Sequence, residues 1–172
     1  GTFDYFTEAI VGRAKFSRND FNKSENDNTL AKDIAHNKNG LGFLGFAYYL
    51  DNQTQIKAVA IDSGKGYGAV LPSVESVEDG SYQPLSRPAF IYVNAKSAEK
   101  PEVREFVTFY LKNAVLIAKE ARLFPLPPRA YTTMLEHFNK KRVGTVFDGV
   151  SAVGLTIDDL IRREGRLEFE HH

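Results

Sequence analysis

The sequence contains no cysteine and no tryptophan, and only one methionine. Without thiols there is no disulfide framework, no thiolate zinc site and no cysteine nucleophile. The same absence leaves reducing and oxidising compartments equally open. Neither sign of charge is in excess, since 22 Lys and Arg face 22 Asp and Glu. A partner recognised through bulk positive field, whether nucleic acid or anionic membrane, is therefore not expected. Any anion held by this chain has to be caught by local geometry. No apolar run approaches the roughly 20 residues that span a bilayer. No secretory signal is visible and the first residue is Gly1, so the start is expected to be a processed or engineered one. The closing His171 and His172 read as the remains of an affinity tag.

What is present is aromatic. Thirteen Phe and eight Tyr stand within a 42% hydrophobic composition over 172 residues. That suffices for a Phe-rich core in one domain, or for a piece of a larger protein. Phe3, Tyr5, Phe6, Ala9 and Ile10 fall at helical spacing, with Asp4 in the first turn and Gly12 as the stop. Thr2 is placed to cap this helix through its hydroxyl. Residues 13 to 27 are polar and aperiodic, as in a surface loop. A short helix is expected from Asn28 to His36, followed by the turn "NKNG". "IKAVAID" at Ile56 to Asp62 and "AFIYVNA" from Ala89 read as strands, joined by a long Pro-, Ser- and Gly-rich connection.

The strongest helical pattern starts at Pro101 in the first-turn position. Val103, Phe106, Val107, Tyr110, Leu111, Ala114 and Ala118 then keep one register over several turns. "LFPLPP" breaks it, and Tyr131, Met134, Leu135 and Phe138 mark a further amphipathic helix. Thr156 caps a last short helix, with Asp159 at the capping-box position, Leu160 and Ile161 inward and Gly165 at its end. Strands interleaved with helices make the fold class α/β.

Several motifs invite a ligand. "GLGFLG" at Gly40 to Gly45 matches the dinucleotide fingerprint literally, with Asp62 beyond it. That fingerprint needs a strand before its first glycine and a helix opening at its last. Here a polar turn leads in, and "FAYYLD" follows without a helix-opening cap. Close packing of backbone against aromatics accounts for the glycines better, and a nucleotide-dependent enzyme built on Gly40–Gly45 stays as the alternative from another class. "DFNKSEN" from Asp20 begins like a calcium loop but has Glu25 where the turn wants Gly and Ala31 where a bidentate Glu belongs. "SGKGYG" around Lys65 lacks P-loop spacing. His36 and His137 fit no metal-ligand pattern and are expected to be exposed. With no nucleophile elbow and no paired carboxylates, no enzymatic activity and no cofactor are expected. Gly1 and Thr2 remain: a helix N-terminus presents amide N–H groups and a positive dipole end, and so holds anions without a basic surface.

"GTFDYFTEAIVG", "LGFLGFAYY", "KAVAID", "YQPLSRPAFIYVNAKS", "PEVREFVTFYLKNA" and "VGTVFDG" occur in this order. Together they resemble the C-terminal half of a bacterial periplasmic phosphate-binding protein, the substrate-binding component of the high-affinity phosphate ABC transporter. The likeness runs from Gly1 to about Glu164, and "YQPLSRPAFIYV" and "GTFDYF" are its most specific parts. It implies a type 2 periplasmic-binding-protein fold, with two α/β lobes of mixed sheet flanked by helices, present here incompletely. Residues 1–83 would be part of the second lobe, opening with the anion-binding helix. Residues 84–170 would be the C-terminal part of the first lobe, after the crossing, with 171–172 as tag.

The resemblance also implies a phosphate-binding role for Gly1, through its backbone N–H, and for Thr2, through N–H and hydroxyl. They match the last two residues of the family's Ser-Gly-Thr. The Ser, the Arg four residues before it and the proton-accepting Asp have no counterpart in this chain. The implied partners are inorganic phosphate and an ABC permease, and the implied location is periplasmic or cell-surface. A binding protein for another oxyanion is the nearest alternative. With two incomplete sheets, self-association or association with a chain carrying the other half is expected.

Overall fold

The computed structural model describes residues 1–121, 123–147 and 152–166. The chain forms two compact units, Gly1–Ser86 and Arg87–His172. His171, His172 and part of "VGTVFDG" lie outside the described residues.

In the first unit, α1 spans Thr2–Val11 and stops at Gly12, whose left-handed φ of 78° lets its N–H bond the Glu8 carbonyl at 3.0 Å. The expected Thr2 cap is corrected. Gly1 is the N-cap, no side chain caps the helix, and Thr2 is its first helical residue. A glycine cap gives up only a few tenths of a kcal/mol against Ser or Thr, so the helix survives without the hydroxyl. Helix α2, Asp27–His36, is capped by the Asn26 side chain, which accepts from the Asn28 N–H at 3.0 Å. Helix α3 spans Phe46–Asn52.

Phe3 stacks on Phe21 with centroids 5.9 Å apart, and Phe6 on Phe43 at 3.9 Å. These pairs clasp the loop after α1 and the glycine-rich segment onto one helix, an arrangement worth ~1 kcal/mol per pair beyond area burial.

The strand anticipated over 56–62 is mostly absent. Only β1, Ile61–Asp62, pairs antiparallel with β2, Ala69–Val70. Upstream, burial still alternates as in a half-buried strand: Ile56 is buried while Val59 is 59% exposed. The side-chain pattern is thus that of a strand, but a ladder needs a neighbour, and no other described segment pairs with residues 56–60.

The connection read as irregular contains helix α4, Val74–Glu78, with a full capping box between Ser73 and Ser76. Buried Ser76 donates its hydroxyl to the Leu71 carbonyl at 2.9 Å, and its own carbonyl accepts the Tyr82 N–H at 2.8 Å. Ser73 and Ser76 therefore hold a tight polar knot where the composition suggested a loop.

In the second unit the segment "AFIYVNA" has no ladder partner among the described residues. Ile91 and Tyr92 are exposed, while Phe90 meets Phe147 edge-on at 5.0 Å. A 3₁₀ turn at Ser97–Glu99 leads into α5, Pro101–Lys112. The single long helix expected here is two: Asn113 leaves helical geometry at φ −107°, ψ 13°, and α6 runs Ala114–Glu120. Asn113 turns its amide Nδ2 back onto the Phe109 carbonyl at 2.8 Å, the local competition with helix bonding that short amide side chains offer.

Val107, Leu111 and Ala114 form the buried stripe, and α5 packs on α7, Pro128–Asn139, whose Ala130 is buried. Phe106, expected inward, is 63% exposed, because the column beside the buried stripe finds no cover among described residues. Val146, Leu155 and Leu160 close a smaller core around α8, Ile157–Arg166. Thr156 and Asp159 make the expected capping box, but the helix runs through Gly165 rather than ending at it.

Candidate anion-binding site

Gly1 and Thr2 are both exposed at the N-terminal end of α1. With ten residues behind it, the helix presents a positive dipole end there. An arriving anion also meets a carboxylate, since Asp4 stands in the same turn. That charge has one cation beside it: Lys15 Nζ lies 3.8 Å from Asp4 Oδ2. Asp4 thus stabilises the helix end while the Lys15 ammonium offsets its repulsion of an oxyanion.

Two hydroxyls set the pose of α1. Buried Thr7 donates back to the Phe3 carbonyl at 2.9 Å and accepts the Lys15 N–H at 2.7 Å. Lys15 thereby sits in the left-handed region at φ 64°, with its ammonium turned toward Asp4. Half-buried Tyr5 reaches 79 residues along the chain: its hydroxyl lies 2.8 Å from the Pro84 carbonyl oxygen and 3.0 Å from that of Ser86.

The segment it meets is itself bonded. Gln83 Nε2 donates to Ser86 Oγ at 3.1 Å, and Ser86 Oγ donates to the Tyr82 carbonyl at 2.8 Å. Gln83 is 2% exposed, and its Oε1 is buried without a hydrogen-bond partner. Burial raises the Tyr82 phenol above its ordinary value. Helical spacing reads Tyr5 as an apolar neighbour and Thr7 as a helix filler. Nothing local in the sequence signals a bond 79 residues away.

The remaining motifs separate cleanly. Gly45 does open a helix, contrary to expectation, but α2 and a turn, not a strand, precede Gly40. The glycine character belongs to packing: a Cβ on Gly42 would lie 2.6 Å from Ile34 Cδ1. Asp20, first residue of the calcium-like loop, is taken by Arg18, whose Nε bonds Oδ1 at 2.7 Å, and Ala31 is buried within α2. Arg18 accordingly holds the Asp20 carboxyl below its usual range. Gly64, Gly66 and Gly68 all adopt positive φ in the turn between β1 and β2.

His36 is exposed and bonds the Lys32 carbonyl, as a helix-end histidine does. His137 is corrected from exposed to half-buried, its Nε2 lying 3.3 Å from Arg142. Among the described residues no cluster of three or more His, Cys, Asp or Glu could hold a metal. None of the described helices is long and apolar enough to cross a membrane.

These features define a helix-rich α/β chain with a small sheet, and its fold is that of a phosphate-binding protein. The crystal structure of a possible phosphate binding protein from Planctomyces limnophilus superposes with a TM-score of 0.71 at 39% identity, covering 83% of this chain and 51% of that one. No family profile matches the chain. By sequence it is homologous to SphX proteins and to bacterial phosphate-binding proteins, so the resemblance noted from the motifs holds.

Protein SphX of Synechocystis sp. is 50% identical over 169 residues, 98% of this chain and 50% of that protein. Protein SphX of Synechococcus elongatus is 46% identical over 165 residues, 96% and 48% respectively. Phosphate-binding protein PstS of Staphylococcus haemolyticus is 32% identical over 141 residues, 81% and 43%. The chain spans about half the length of the curated relatives it matches.

Proposed function

We propose that this chain is part of a non-enzymatic solute-binding protein that captures inorganic phosphate and hands it to an ABC permease. Its place would be the periplasm or the cell surface. The observation that carries the reading is the homology to phosphate-binding proteins over most of the chain. The exposed Gly1 and Thr2 at the N-terminal end of α1, with the Lys15 ammonium 3.8 Å from Asp4 Oδ2, support the reading chemically.

On this reading the two units belong to the two lobes of a type 2 binding protein. Residues 1–83 contribute to one lobe and 84–170 to the other, with 84–86, which cluster with the first unit, at the crossing. Gly1 and Thr2 supply one wall of the pocket, through amide N–H groups and the Thr2 hydroxyl. Hydroxyls, an Arg and a proton-accepting carboxylate from further sequence complete it. Such an acceptor excludes sulfate, because a fully ionised sulfate oxygen facing it would leave two acceptors unpaired. By itself the chain then binds phosphate weakly.

The unladdered segments at 56–60 and 89–95 are where a second copy, or a chain carrying the other half, would add strands. A monomeric mass by light scattering together with one cooperative melt would refute that association.

The deciding experiment is to read the parent gene upstream of the Gly1 codon. A Ser directly before Gly1 and an Arg four residues earlier are expected. Unrelated residues there would remove the anion site. Micromolar phosphate binding by a verified monomer would show that the site lies elsewhere. Altered neighbours that keep the hydroxyl donors would favour another oxyanion.

A further inference from the structure

We infer that Tyr5 is a positioning residue for the Gly1–Thr2 anion site, joining that site to the segment through which the chain leaves the first unit; the inference rests on the reading above. Tyr5 is one turn from the helix end and carries a single hydroxyl proton. Two carbonyls share that proton, Pro84 at 2.8 Å and Ser86 at 3.0 Å. Ser86 is the last residue of the first unit.

The bonds that surround these carbonyls are short-range. Ser86 Oγ passes one bond to Tyr82 and receives one from Gln83, whose other amide atom, Oε1, is buried and unpartnered. Such bonds hold the segment to itself, and the Tyr5 hydroxyl ties it to α1. By the same bond, α1 depends on the segment. Thr7 fixes the helix to the loop that follows it, and so cannot substitute for this tie to residue 84 and beyond. Binding that orders the first turn of α1 must then be felt at Ser86, and the coupling is reciprocal.

The test follows backbone amides of the whole 172-residue chain by NMR and hydrogen exchange, with and without inorganic phosphate. Weak binding is enough for this readout. The parent chain should show phosphate-dependent shifts at Thr2 and Phe3, and slower exchange at Leu85, Ser86 and Arg87. In Tyr5→Phe the apparent affinity should fall about fivefold, the size of one hydrogen bond, and the slowing at Leu85–Arg87 should vanish. Ala9→Gly loosens the same helix without touching the bond, so it should weaken binding while keeping the remote slowing.

Tyr5→Phe that retains the remote slowing overturns the inference. So does Ala9→Gly abolishing it equally, since the effect would then be general loosening. No phosphate response at Thr2 or Phe3 in the parent chain would remove the anion site itself, and the positioning role with it. That result is distinguishable, because Tyr5→Phe would still speed exchange at Ser86 without ligand.

Discussion

The two units bury different chemistry. Among the described residues, Gly1–Ser86 encloses Thr7, Ser76 and Gln83 with only Ala31 and Ile56 as fully buried apolar groups. Arg87–His172 buries Val107, Leu111, Ala114, Ala130, Val146, Leu155 and Leu160, all apolar. Apolar burial scales with area and tolerates small shifts, whereas a buried hydroxyl is held only if its partners stay within hydrogen-bond reach. The unit carrying the candidate site is the one whose interior is directional. Its weaker hydrophobic drive is accompanied by closer control of where α1 lies.

The largest effect should come from the apolar side. Leu111→Ala opens a cavity under α5 and should cost about 3 kcal/mol, read by urea unfolding. Separate probes in each unit sharpen the contrast, because resonances of the first unit should persist beyond the midpoint for the second. Thr7→Val, nearly the same shape, strands the Lys15 N–H and should cost about 2 kcal/mol. Thr7→Ser, which keeps the hydroxyl, should restore most of that loss. If Thr7→Val is neutral, the polar interior of the first unit is not what holds it.

Gln83→Met sets two opposed effects against each other. It gives up the bond to Ser86 but removes an unsatisfied buried oxygen, so the change in stability should stay within about 1 kcal/mol. A loss much above that would mean Oε1 has a partner in solution.

The smallest effect is acidic. Hydrogen bonds from Thr156 hold the Asp159 carboxyl below its ordinary value. A lowered folded value contributes stability above the unfolded carboxylate range and loses it as pH falls through the folded one. Amide protection in α8 should thus be flat from neutral pH down to about 4 and decline below. Asp79, lowered by its bonds from Ser81, should follow the same direction in the first unit.

Helices were legible from sequence wherever a periodic stripe met a chemical stop. Gly12, Asn26 and Thr156 all fall at or beside expected boundaries, since capping is a local interaction. The strands were not recoverable in the same way. Ile56 and Phe90 sit in segments whose composition is that of strands, yet pairing depends on a neighbour elsewhere. The α5–α6 break was missed because Asn113 lies within an unbroken apolar register. The phosphate-binding role of Gly1 and Thr2 stands as the proposal, whereas the helix start at these residues was legible from the pattern. Tyr5, Lys15 and Gln83 were not, because a fold, and not a local pattern, creates their roles: the Thr7 bond to Lys15 spans 8 residues and the Tyr5 bond to Ser86 spans 81.

Lys15 adds a point about selection. A non-glycine residue in left-handed backbone costs about 1 kcal/mol relative to glycine, so a glycine at this position would be the more stable choice for the turn alone. Glycine, however, carries no ammonium to set against Asp4. At Lys15 a strained backbone and a cation beside Asp4 therefore come together. On the proposed phosphate-binding reading, Lys15→Gly should raise thermal stability and weaken phosphate binding at once, so the two properties would be traded at a single position.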